Sequence, residues 1–111
     1  MQNELTGKIV TISNGFLSYE IFNAKSDFVP VMGELIQNQF GFNPVDLPAI
    51  GLSEVVCEVE FSGVKLGLGW GNWSGAYVMA HCAKGDEFIK KIASYLNNVI
   101  EHPQYKKYAN M

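Results

Sequence analysis

The groups in this 111-residue chain that could do chemistry are few: Cys57 and Cys82, His81 and His102, the carboxylates Glu54, Glu58 and Glu60, and the glycine run Gly67-Leu68-Gly69-Trp70-Gly71. No Cys or His pair has the close C-x-x-C or H-x3-H spacing of a zinc site. His81 and Cys82 are neighbours in a strand-like run, so they point to opposite faces and do not share one ion. Strand parity also separates Cys57, on an apolar face, from His81, on the other, which opposes a thiol–imidazole pair. Ser74 lacks the G-x-S-x-G elbow of a hydrolase nucleophile. The glycine run has no third Gly at dinucleotide spacing: Asn72 follows, then another strand, and no Gly-Lys-Ser/Thr is present. Glu58 and Glu60 share one strand face about 7 Å apart, a spacing open to acid–base work, although carboxylates in a row on one strand also make a solvated face or a blunted edge. The expectation is a protein that is not an enzyme, with no metal and no cofactor.

What remains is a surface for binding. All eight basic residues are Lys, against eleven acids, and Arg is absent. Arg supplies the flat five-donor fork that reads phosphate and guanine, so an acidic chain without it is expected not to bind nucleic acid. No run approaches the roughly 18–20 apolar residues of a spanning helix, and residues 1–8 have no signal-peptide pattern, so no membrane association and a cytoplasmic location are expected. Both Cys are then expected to be reduced. Charge is unevenly spread along the chain. Residues 1–60 hold eight acids and two Lys, a balance of −6, whereas residues 61–111 hold three acids and six Lys, a balance of +3. If the acids converge in space, they form a patch that attracts a basic partner. Trp70 and Trp73 flank a Gly71-Asn72 turn. Parity assigns Trp70 to the core and leaves Trp73 as the candidate binding anchor.

The elements that must position these residues follow from periodicity. Residues 8–13 and 16–22 flank Asn14-Gly15 and predict a hairpin closed by a type I′ turn. Ser26 or Asp27 can cap a helix that carries Pro30 in its first turn and Val31, Leu35, Ile36 and Phe40 at helical spacing, with Gly41 as its stop. Residues 42–52, with two Pro and a Gly, read as a loop tucked in by Phe42, Leu47 and Ile50. Runs 53–61, 64–70 and 75–82 alternate with period 2 and predict a three-stranded meander. A second helix is expected from an Asp86 N-cap, with Phe88, Ile89, Ile92, Leu96, Val99 and Ile100 as its apolar stripe and Pro103 beyond its end. The expected fold is one α+β domain over 1–111, in the order β-β-α-β-β-β-α: a five-stranded, mainly antiparallel sheet with both helices packed on one face.

In size, charge and element order, with the stretch Gly67-Leu68-Gly69-Trp70-Gly71-Asn72-Trp73-Ser74-Gly75 as its most family-like segment, the chain resembles the bacterial immunity proteins of contact-dependent growth inhibition systems. That resemblance implies an antidote that binds a cognate toxin protein, a basic nuclease domain, and covers its active site with acidic side chains. Asp46, Glu54, Glu58, Glu60 and Trp73 are the expected contacts, with Asn72 and Tyr77 secondary. The alternative is a small-molecule or peptide-binding module that uses a groove over Gly67 and Gly69 beside Tyr77, Met79 and His81.

Overall fold

A computed structural model describes residues 5–45, 49–50 and 55–109, and at 49, 50, 55 and 56 it describes the backbone. The α+β architecture is the expected one. Five long strands form an antiparallel sheet: β1 (Gly7–Thr11), β2 (Leu17–Ile21), β5 (Val55–Phe61), β6 (Val64–Gly71) and β7 (Gly75–Ala80). Two strands of two residues each, β3 (Asn43–Pro44) and β4 (Ala49–Ile50), lie along the outer edge of β5. The segment expected to be a loop therefore pairs in part with the sheet, and its Phe42 is fully buried, as expected. The spatial order is β1-β2-β7-β6-β5-β3. The N-terminal hairpin thus joins the meander through β2 and β7, in the register Tyr19↔Val78 and Ile21↔Ala76.

Period 2 sorts the side chains as the sequence implies. Tyr19, Ile21, Leu66, Leu68, Ala76, Val78 and Ala80 are buried on one face, and both helices lie over it. Helix α1 (Phe28–Phe40) buries Phe28, Val29, Met32 and Ile36. Its Gly33 sits against Leu68, where even a Cβ would come 3.4 Å from a methyl group. The buried stripe is thus turned from the expected one: Val31, Leu35 and Phe40 are only half-buried. Gly41 ends the helix in the left-handed region, as anticipated. Helix α2 (Ala83–Val99) buries Ile89, Ile92, Ala93 and Leu96. Each of its buried Ile and Leu side chains contributes about 1.5–3 kcal/mol. A 3-10 helix (Pro103–Tyr108) packs onto the core, with Tyr105 edge-on and Tyr108 tilted against Phe28.

Two local expectations are corrected. Asp86 is not an N-cap: α2 begins one turn earlier, after Cys82. The Asp86 carboxylate instead accepts the Leu17 backbone N–H at 2.8 Å, a donor left over because β7 stops pairing at Ser18↔Met79. The first hairpin is closed by three residues rather than two. The Ile12 N–H donates to the Phe16 carbonyl, and only Gly15 takes a positive φ. The sequence signal located the hairpin correctly, but a type I turn ending in left-handed Gly15 closes it.

Two missing side chains seat the hairpin, one within it and one at its joint with the meander. A Cβ on Gly7 would overlap the Tyr19 ring, which passes beneath β1 so that its hydroxyl donates to Asn97 of α2 at 2.6 Å. A Cβ on Gly75 would strike the Ile21 carbonyl oxygen, and Gly75 also holds φ +67°. Gly63 has a similar φ of +82° with nothing near it. Gly75→Ala is therefore expected to cost about 2–4 kcal/mol and Gly63→Ala about 1 kcal/mol, read from urea midpoints at constant slope. Equal losses at both positions would contradict the close approach of β2 to Gly75.

Candidate functional site

Opposite the helices lies the second face of the sheet. Strand register brings to it Lys8 and Val10 of β1, Ser18 and Glu20 of β2, Tyr77 and Met79 of β7, Lys65, Gly67 and Gly69 of β6, and Glu58 and Glu60 of β5. Three of the expected contact residues, Glu58, Glu60 and Tyr77, thus share one surface. Asn72 and Trp73 sit together on the β6–β7 turn, at one end of that surface. Glu58 pairs with Gly67, four residues before Gly71, so roughly 13 Å of strand separates it from the turn. Asp46 and Glu54 lie outside the described residues.

The acids on this face are interleaved with cations. Glu20 is directly opposite Lys8, and Glu60 is opposite Lys65. The Glu58 carboxylate lies 3.9 Å from His81 Nε2, with both side chains partly exposed. An exposed contact of that length contributes little to stability. Among the described residues the −6 and +3 halves of the chain therefore meet on this face, because pairing sets β5, with Glu58 and Glu60, beside β6, with Lys65.

The space above Gly67 is filled from the next strand. Met79 Cγ and His81 Nε2 both lie 3.2 Å from where a Gly67 Cβ would be. The glycine thus admits bulky neighbours, the structural role that its alternation with Leu66 and Leu68 suggested. Open space lies elsewhere, in a groove of about 550 Å³ on the helix side. Val29, Gly33 and Gln37 of α1 form one wall, and Pro44, Cys57 and Val59 the other. Cys57 and His81 are on opposite faces, as parity required. Burial pushes the Cys57 thiol up, which disfavours the thiolate a nucleophile needs. Both cysteines are free and half-buried. Among the described residues no group of three or more His, Cys, Asp and Glu could hold a metal ion, and no helix is long and apolar enough to cross a membrane.

The two Trp residues behave oppositely. Trp70 packs against the core, and its indole N–H donates to the Ala24 carbonyl at 2.8 Å. Trp73 is 97% exposed. Its turn is held firmly: Gly71 pairs with Gly75, the Ser74 hydroxyl donates to the Gly75 carbonyl at 3.1 Å, and Gly75 is pressed against β2. A second exposed aromatic shares this end. Phe22 is 52% exposed, and its backbone is in contact range of Gly75. Sequence reasoning left Phe22 in the strand without assigning it a contact role. The available signal was parity, since Phe22 is in step with Ser18 and Glu20 rather than with Tyr19 and Ile21.

Comparison of the chain with protein-family models, with curated proteins and with solved structures finds no match.

Glu20 yields a pH prediction. Desolvation by burial raises its carboxyl above the ordinary Glu value near 4.5, and the Lys8 charge opposes this only in part. The folded state therefore holds the proton more tightly than the unfolded chain. That contribution is complete below about pH 4.5 and is lost as pH rises through the raised folded value. Glu20→Gln is expected to raise the melting temperature at pH 7 relative to the parent protein, with a smaller gain at pH 4. Thermal melts of both proteins across that range check it, and a gain that did not change with pH would contradict it.

Proposed function

We propose that this chain is an immunity-type antidote: a binding protein that neutralises a cognate bacterial toxin domain by covering it. The observation that carries the reading is Trp73, almost wholly in solvent on a turn that strand pairing and a close backbone contact hold in place. Large aromatic side chains dominate binding energy at protein interfaces, and a rigidly presented one loses little freedom on docking. Phe22 at the same end enlarges the apolar contact. Asn72 beside Trp73 is exposed and offers an amide for polar contacts at the rim.

The nuclease version of the reading rests on Glu58 and Glu60. They project from β5 on the open side of the sheet, the face that also carries Tyr77 two strands away, and present carboxylates to the Lys and Arg side chains that a nuclease uses to hold phosphate. Glu54, which directly precedes β5 in sequence, and Asp46, which lies between β3 and β4, are proposed to add to that charge. The protein would then occupy the toxin's phosphate subsites, with Trp73 as the apolar anchor beyond them.

Co-purification with the toxin domain encoded beside this gene, followed by calorimetric titration, tests the proposal. Trp73→Ala is expected to weaken binding by about 2 kcal/mol or more while leaving the thermal midpoint of the free protein in place. Glu58→Lys with Glu60→Lys is expected to abolish binding to a basic nuclease. Unchanged affinity in the double variant would remove the acidic-mimic version, and unchanged affinity in Trp73→Ala would remove the anchor.

A further inference from the structure

We infer that the outer edge of β1 is a self-complementary interface through which two copies of this chain pair antiparallel, about a two-fold axis at Ile9. The two edges of the sheet are treated differently. β3 and β4 cover the outer side of β5, whereas among the described residues no strand pairs with the outer side of β1.

The hydrogen-bond alternation identifies the groups on that open side. Ile12 and Phe16 form the closing bonded pair of the hairpin, so Val10↔Ser18 and Lys8↔Glu20 are the next bonded pairs along the ladder. The Leu17 N–H, which turns away from β1 to reach Asp86, fits the same phase. The N–H and C=O groups of Gly7, Ile9 and Thr11 therefore point outward, and backbone polar groups of this kind form the template onto which another strand adds.

Reflection of this edge through a two-fold axis at Ile9 gives a consistent pairing. Ile9 lies opposite its own copy, Gly7 opposite Thr11, and Lys8 opposite Val10. Every outward group then finds a partner, and no like charges are directly opposed. Lys8, the residue that would ordinarily guard such an edge, already faces Glu20 on its own sheet. Ile9, 41% exposed in the single chain, becomes covered by its copy. The helices do not obstruct the pairing. Helix α2 crosses β1, β2 and β7 and reaches β6, so it is centred inward of the β1 edge. The two copies of β2 would stand three strand spacings apart, roughly 14 Å, wider than the 8–10 Å of packed helix axes.

An interface of five-residue strands is small, so the dimer is expected to be concentration-dependent, with a dissociation constant between about 1 μM and 1 mM. Sedimentation equilibrium on the full chain tests the association. Mild oxidation of Ile9→Cys and Thr11→Cys tests the register. At the axis the two Cα atoms would be about 5.5 Å apart, within disulfide reach, whereas copies of position 11 would be about 14 Å apart. The expected results are a monomer–dimer equilibrium, a dimer linked through position 9 and not through position 11, and a monomer for Ile9→Lys with an unchanged melting temperature. A monomer at 1 mM overturns the inference. So does cross-linking at position 11 equal to that at position 9, or a dimer that survives Ile9→Lys.

Discussion

The seam between β2 and β7 is the constraint on which the rest of the molecule depends. It joins two pieces that are separate in sequence, an N-terminal hairpin and a later meander, into one sheet over one core. Gly75 makes the seam possible by being bare where the Ile21 carbonyl must pass, and Gly7, within the hairpin, leaves room for the Tyr19 ring to reach the helix. Tyr19, fully buried, then ties the hairpin to α2 through Asn97. The hydroxyl makes its hydrogen bond at the edge of the core, and burial holds it protonated well beyond its ordinary range. Asp86 makes a second tie from the same helix, to the first residue of β2. A helix that anchors β2 at its first residue and at its middle leaves little freedom in how the hairpin sits.

Both surfaces of functional interest are consequences of that seam. Docking β2 against β7 brings Phe22 to the end where the β6–β7 turn projects Trp73. It also places β1 at the outside of the sheet, because the other side of β2 is occupied. The proposed partner contact and the proposed self-pairing therefore use different parts of the molecule: an end with exposed aromatics and an edge with open backbone groups. The mixed charges of the open face suit recognition by complementary pattern, with Glu58 and Glu60 at one side and Lys8 and Lys65 interspersed.

Strand parity was legible in the sequence because it is local. Alternation from Val55 to Ala80 placed Glu58, Glu60 and Tyr77 on one face, separated Cys57 from His81, and sent Trp70 inward. Long-range pairing was not legible, since no local signal marks Val78 as the neighbour of Tyr19. Charge illustrates the difference. A count along the chain suggested an acidic half, but lateral pairing set Glu60 of that half beside Lys65 of the other. Asp86 was misread for the same reason, since its carboxylate serves a backbone donor on a distant strand rather than its own helix. The start of α2 at Ala83 and the two-residue strand Asn43–Pro44 were likewise settled by tertiary contacts that outweigh turn-forming composition.

The seam can be observed directly by nuclear Overhauser contacts between α-protons, which are strongest at the non-hydrogen-bonded pairs of an antiparallel ladder. The hydrogen-bond phase makes Ser18↔Met79 and Glu20↔Tyr77 such pairs. Strong α-proton contacts within both pairs are the predicted result. Contacts shifted in register, or contacts that join the hairpin to β5 instead of β7, would contradict the sheet order and with it the positions of Trp73, Phe22 and the open β1 edge.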